Sequence, residues 1–173
     1  MKFQSIKTSE LSNERINQIL ELKESHWKYG IASQQHWFRK NVFPNDIHNL
    51  LLINDKLKGY TFLANRNLEI SKEFKKFNYL LFSTLILDED FRQFNNLSNL
   101  MKLNHKIISS AKKPSFLLCK QNKIKMYKFF GWTQLQNDLF DVPDHRTNLV
   151  GLVFNINIIK FNRDSKISFF SCR

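Results

Sequence analysis

Between Tyr79 and Met101 the chain reads YLLFSTLILDEDFRQFNNLSNLM, an order of residue types that could hold an anion. Tyr79 to Leu87 is an apolar run rich in β-formers and fits a buried strand. Asp88, Glu89 and Asp90 form an acidic, turn-like patch, Phe91 and Arg92 follow, and Gln93 to Asn96 read as a polar loop. Leu97, Leu100, Met101 and Leu103 then recur at helical spacing. Strand, tight loop and helix present a helix N-terminus, where unpaired amides and about half a unit of positive partial charge attract an anion. A phosphate-bearing ligand is the natural guest. An ordinary strand-to-helix connection is the alternative that the pattern leaves open.

A second group lies at Ser25-His26-Trp27-Lys28-Tyr29-Gly30, where polar aromatics crowd a predicted loop. Trp27, Tyr29 and the later Trp37 offer flat apolar area suited to sugars or nucleobases, and equally suited to a core. A histidine with a pKa of about 6.5 is well matched to taking a proton from an amine, which brings His26 and His145 forward, beside Glu89 and ordered water. Cys119 closes an apolar run and reads as a small buried hydrophobe rather than a nucleophile. Neither a Ser/His/Asp ordering nor a metal-ligand cluster stands out, so no metal is expected.

The elements that must position these residues follow from periodicity. Met1 to Thr8 alternates and can be a first strand. Ser9 or Ser12 can cap a helix carrying Leu11, Ile16, Ile19, Leu20 and Leu22, ending near Glu24. Ser33 can cap a second helix with Trp37, Phe38 and Val42, which Pro44-Asn45-Asp46 ends. His48 to Ile53 and Lys58 to Ala64 flank a polar turn and read as a hairpin. The polar stretch Asn65 to Asn78 leads to the strand at Tyr79. After the helix beyond it come a strand over Ser115 to Cys119 and a short helix over Lys123 to Phe130, closed by Gly131. Trp132 to Leu135 and Leu149 to Ile159 make a last strand pair, and the tail from Asn162 to Arg173 docks on the sheet or frays.

At 173 residues the chain suits one domain with a core that needs no staples; we take residues 1–160 as that domain and 161–173 as a C-terminal tail. Hydrophobic content of 42% argues against disorder. The formal charge of +12 favours anionic partners. The basic residues are scattered, with no run of five and no aromatic-basic motif, which speaks against nucleic acid as the main partner. Cys119 and Cys172 show no disulfide framework. With no signal-like N-terminus and no apolar run of membrane-spanning length, the expected location is the cytoplasm.

Leu85 to Met101, LILDEDFRQFNNLSNLM, resembles the acetyl-CoA-binding segment of the GNAT acyltransferases, in which a strand end is followed by Arg-x-x-Gly-x-Gly/Ala and an apolar helix. Arg92 falls on the family's Arg or Gln, and Asn95 and Leu97 fall on its two small positions, where neither is glycine. Lys125-Met126-Tyr127-Lys128-Phe129-Phe130-Gly131-Trp132 is similar to the family's closing motif. Together with the element order, the resemblance covers residues 1 to 159. It implies an α/β fold with a mixed central sheet of about seven strands flanked by about four helices.

The resemblance also implies roles. Ile86 and Leu87 would offer backbone groups to the pantetheine arm, and Arg92, Gln93, Phe94, Asn95, Asn96, Leu97 and Ser98 would line the pyrophosphate. Asn122 is the nearest residue to the family's pantetheine-contacting Asn, and an N-cap of the following helix is its other reading. Tyr127 would donate a proton or hydrogen bond to the departing CoA thiolate. The family often places a Glu on the central strand as base; Tyr79 to Leu87 has no acid or His, so His26 is the first candidate, with Trp27 and Tyr29 on the acceptor wall. The implied function is an N-acetyltransferase acting by direct attack of a primary amine on acetyl-CoA. The acceptor is expected to be a small anionic amine, such as a nucleotide-linked amino sugar of bacterial surface polysaccharide. A homodimer is compatible with the family. A protein or peptide amine acetyltransferase, a GNAT-fold binding protein without catalysis, and a nucleic-acid-binding domain are the alternatives.

Overall fold

The structure, a computed structural model, describes residues 1–71, 75–143, 148–158 and 165–170. His145, Ile159 and Cys172 lie outside them. The described strands form one mixed nine-stranded sheet, and four α-helices accompany it. In chain order the elements are β1 (Lys2–Lys7), α1 (Asn13–His26), α2 (Ile31–Asn41), β2 (Ile47–Ile53), β3 (Lys56–Ile70), β4 (Lys75–Leu87), α3 (Phe94–Ser110), β5 (Ser115–Cys119), α4 (Ile124–Phe129), β6 (Thr133–Gln134), β7 (Phe140–Asp141), β8 (Val150–Phe154) and β9 (Ile167–Phe169). Hydrogen-bonded neighbours run β1-β2-β3-β4-β5-β8-β6, with β9 on β3 and β7 on β9. The chain divides into two compact units, Met1–Ala64 with Ser83–Lys106, and Asn65–Phe82 with Ile107–Arg173. Strands β3 and β4 run through both.

In the first unit, β2 pairs antiparallel with β1 and with β3. Asn54 and Asp55 both have positive φ (47° and 60°), so the hairpin turns in two residues, a geometry that Asn and Asp tolerate. The loop expected over Asn54–Leu57 is therefore shorter. Arg15 of α1 grips this turn, donating from Nη2 to Asp55 Oδ1 at 2.7 Å and from Nη1 to the Asp55 carbonyl at 3.0 Å. Helix α1 starts where Ser12 caps it, its side chain accepting from the Arg15 amide. Helix α2 starts earlier than expected. Gly30, at φ 85°, is its N-cap, and the Gly30 amide donates to Glu24 Oε1 at 3.0 Å, so Ser33 falls inside the first turn. Helix α3 is tied down by polar groups: Asn49 Nδ2 and Thr61 Oγ1 both donate to Asn104 Oδ1 at 2.9 Å, and Asn104 Nδ2 donates to the Leu100 carbonyl. All three side chains are buried.

In the second unit, β4 and β5 are parallel and share two rungs, Leu80–Ser115 and Leu81–Phe116; β5 pairs along its whole length with antiparallel β8. The core gathers around Phe116, which stacks face to face on Phe169 (4.0 Å, 5°) beside Tyr79, Phe140 and Val153. Gly151 makes this packing possible, because a Cβ there would stand 2.5 Å from the Phe140 ring. The described part of the tail, residues 165–170, docks: β9 pairs with Leu68–Ile70 of β3, and the Tyr79 hydroxyl donates to the Phe170 carbonyl at 2.8 Å.

Three expectations about the strands are corrected. The polar stretch Asn65–Asn78 is largely strand, because β3 runs on to Ile70 and β4 begins at Lys75. Its residues alternate, with Leu68 and Ile70 buried between exposed or half-buried Asn67 and Glu69, and a two-faced strand of that kind hides in a polar composition. The strand expected over Leu149–Ile159 ends at Phe154, where Asn155 adopts φ 61° and a 3₁₀ turn follows. Strand β6 keeps only Thr133–Gln134 of the expected Trp132–Leu135.

Candidate functional site

In the first unit, β4 leads through a 3₁₀ turn at Glu89–Phe91 into α3. The Asp88 side chain caps the turn by accepting from the Asp90 amide, and Lys58 Nζ pairs with Asp88 at 2.9 Å. Helix α3 begins at Phe94, not near Leu97. The Leu97 amide donates to the Gln93 carbonyl at 3.1 Å, which opens the helical ladder, and Asn96 Nδ2 donates to the Phe91 carbonyl at 3.1 Å. Asn96 thus spends its side chain on closing the loop, which is why a polar Asn-Asn pair starts a helix here.

Residues 92–96 fit a diphosphate in their donor chemistry. Arg92, Gln93 and Asn95 are exposed, and the opening amides of a helix have no partner within it. The Arg92 guanidinium leans over its own loop, with Nε donating to the Leu87 carbonyl at 3.3 Å and Nη1 3.4 Å from Glu89. Phe94 is 58% exposed; Leu97 and Ser98 are half-buried. Ile86 is buried. Leu87 is half-buried, with its side chain against Gly59, where a Cβ would lie 2.7 Å from Leu87 Cδ2.

The first unit also holds a pocket of about 580 Å³ lined by Lys23, Trp27, Tyr29, Ser33, Gln34, Trp37, Ser83 and Thr84. Helices α1 and α2 and the loop between them supply its rings, and β4 supplies Ser83 and Thr84. Buried Gln34 holds Trp27 in place, its Nε2 donating to the Trp27 carbonyl at 3.0 Å. Lys23 Nζ sits over the Trp37 ring, 3.3 Å from its centre. Burial lowers the Lys23 pKa to about 8. His26 was expected in a loop; it is the last residue of α1, exposed, with its ring edge-on to Trp27 at 4.8 Å. The helix runs two residues beyond Glu24 because basic Lys23 and His26 suit its C-terminal end.

Tyr127 belongs to the second unit. It is 9% exposed in α4, and its ring meets Phe82 and Trp132 in T-shaped contacts. Burial first, and Cys119 second, raise the phenol pKa well above its ordinary value, so the hydroxyl keeps its proton. Among the described residues that hydroxyl has no hydrogen-bond partner, and it is not one of the fully buried unpartnered polar atoms, so it opens to solvent. Cys119 is buried, and burial raises its thiol pKa, which suits a packing role. Asn122 is exposed in the 3₁₀ turn Gln121–Lys123; Lys123, not Asn122, is the N-cap of α4. Among the described residues no group of three or more His, Cys, Asp or Glu gathers to hold a metal.

Several residues of the pocket were not singled out from the sequence, chiefly Lys23, Gln34 and Thr84. One signal for Lys23 was present. It stands at a four-residue step between Ile19 and Trp27, on the apolar side of α1, where a lysine is out of place.

The sequence matches no protein-family model, and no curated protein matches it. Solved structures do match. ElaA from Escherichia coli superposes with a TM-score of 0.64 at 18% identity, over 88% of this chain and 97% of that one. An acyl-CoA N-acyltransferase from Pseudomonas aeruginosa gives 0.66 at 11% identity, over 88% and 99%. An aminoglycoside 6'-N-acetyltransferase complexed with coenzyme A gives 0.61 at 11% identity, over 94% and 99%. The fold is that of the GNAT acyl-CoA N-acyltransferases.

Proposed function

We propose that this chain transfers an acetyl group from acetyl-CoA to a primary amine. The observation that carries the reading is the Tyr127 hydroxyl, which has no hydrogen-bond acceptor among the described residues and sits on a largely buried side chain, on a backbone shared with acyl-CoA transferases. Such a donor stabilises negative charge as it develops and costs no reorganisation at that moment. Acetyl-CoA, when bound, supplies an acetyl group activated as a thioester.

Several residues would then have tasks. The exposed residues Arg92, Gln93 and Asn95, with the first amides of α3, would hold the diphosphate, and the main chain at Ile86 and Leu87 the pantetheine amides. Asn122 is a further pantetheine contact to test. Trp27, Tyr29 and Trp37 would seat the acceptor. With acetyl-CoA bound, the amine nitrogen would attack the carbonyl carbon, the C–N bond forming as the C–S bond breaks, and Tyr127 would be the hydrogen-bond donor to the sulfur. Because the phenol pKa is raised by burial, Tyr127 serves as donor and does not surrender its proton outright. The proton released from the acceptor nitrogen would leave to water or to His26, which is exposed at the end of α1. The acceptor to try first is a nucleotide-linked amino sugar.

Purified protein incubated with acetyl-CoA, a thiol reagent and a panel of amines, nucleotide sugars included, tests this directly. Thiol release that depends on one amine class, with binding of the cofactor in the micromolar range, is the expected result. No binding at millimolar acetyl-CoA would reject it and favour a GNAT-fold binding protein.

A further inference from the structure

Lys23 is 5% exposed, yet no carboxylate among the described residues pairs with it and its ammonium has no hydrogen-bond acceptor there. Its neighbour in sequence, Glu24, accepts the Gly30 amide at Oε1, while its Oε2 is buried without a hydrogen-bond partner among the described residues. The groups that do face Lys23 are the Trp37 ring at 3.3 Å and, through the field, buried His48. His48 is neutral near pH 7, its pKa lowered to about 3 by burial and then by Lys23 itself. An indole face favours the charged form of an amine, and a pKa of about 8 leaves Lys23 mostly protonated at neutral pH. The ammonium is not one of the fully buried unpartnered polar atoms, so water from the pocket reaches it, and a largely buried cation without a counter-ion favours an anion in that water's place. This one lines an open pocket of about 580 Å³, so a ligand can supply the missing charge.

We propose that Lys23 is the anion-recognition group of this pocket and selects amine acceptors that carry a carboxylate or a phosphate on a ring-sized body. The rings of Trp27, Trp37 and Tyr29 cover the body, while the Lys23 ammonium donates to the anion. Gln34 and Thr84, both buried in the lining, add polar atoms that a neutral ring alone would not need. The inference rests on the acetyltransferase reading of the pocket for the word acceptor, though not for the anion site itself.

The test compares wild type with Lys23→Met on two matched pairs, glucosamine 6-phosphate against glucosamine and phenylalanine against phenylalaninamide. Expected is a KM about tenfold or more lower for the anionic member of at least one pair, at similar kcat, from the worth of a charge-assisted hydrogen bond. K23M should abolish that difference between the members of a pair; K23Q repeats the comparison if K23M does not fold. The pair that responds distinguishes phosphate from carboxylate. Independently of turnover, phenyl phosphate and benzoate are titrated against tryptophan fluorescence, and a saturable change in wild type that K23M lacks is expected. If neutral amines are acetylated without any preference for anions, or K23M keeps the preference, the Lys23 proposal is overturned and the acetyltransferase reading stands. If no amine is acetylated but an anion titrates in wild type alone, the anion site stands and the acetyltransferase reading falls. No response in either assay overturns both.

Discussion

The Trp132 amide donates to the Tyr127 carbonyl at 3.1 Å, while the two side chains meet at 6.2 Å in a T-shaped contact. With the Gly131 amide donating to the Lys128 carbonyl at 2.9 Å and Gly131 at φ 81°, this is a Schellman closure of α4. The end of the helix therefore also sets one wall around the candidate donor. Tyr-Lys-Phe-Phe-Gly-Trp is one device: the glycine turns the chain so that the tryptophan returns against the tyrosine.

Tyr127→Phe should lower kcat by roughly 10²-fold if the hydroxyl stabilises the departing sulfur, with acetyl-CoA affinity nearly unchanged. Since the hydroxyl has no hydrogen-bond partner among the described residues, the melting temperature should stay close to that of wild type. Steady-state kinetics and calorimetry on one preparation check both; an unchanged kcat removes Tyr127 from the mechanism.

Gly131→Ala forces a side chain into the left-handed region and should cost about 1 kcal/mol or more of stability. Trp132 and Tyr127 should move with it, so kcat should drop more than cofactor affinity. Urea unfolding and turnover measure the two effects, and a fully active, equally stable G131A would show that the closure does not position Tyr127.

His48 sets an acid limit. It is fully buried, with Nε2 sharing a hydrogen bond with Thr8 Oγ1 and Nδ1 one with the Tyr60 hydroxyl, both at 2.8 Å. Its pKa is lowered to about 3, whereas the unfolded chain protonates near 6.5. Between those values the unfolded state holds more protons, so stability falls as pH falls from 6.5 towards 3, by up to about 1.4 kcal/mol per pH unit from this group. His48→Gln should flatten the pH dependence of the urea midpoint in that window; parallel curves for the two proteins would refute the assignment.

Asn104→Leu should destabilise the fold by roughly 2–4 kcal/mol, because Asn49 and Thr61 would lose their buried acceptor. Asn49 Oδ1 already lacks a partner, so it cannot compensate. Chemical unfolding reads the loss directly. A change within about 0.5 kcal/mol, the range of an ordinary surface substitution, would mean the network does not hold α3.

Local patterns announced much of this architecture. Tyr79–Leu87, the helix after it, Ser115–Cys119 and the Gly131 stop are each written in a few neighbouring residues, through apolar periodicity and the φ that glycine permits. The strand-to-helix order around Arg92 and the Tyr127–Trp132 segment were legible for the same reason. Two-faced strands were not, because Asn65–Ile70 buries Leu68 and Ile70 behind polar neighbours.

What only the tertiary structure decided is which residues share a pocket and which charges are left unpaired. Lys23, Trp37 and Thr84 are distant in sequence, and although its helical spacing places Lys23 on the apolar side of α1, only the fold sets it on the Trp37 ring. Tyr127 likewise could have spent its hydroxyl on any neighbour. Burial and hydrogen-bond satisfaction are properties of the packed chain, set by long-range neighbours that no local pattern names, and the chemistry proposed for this protein depends on both.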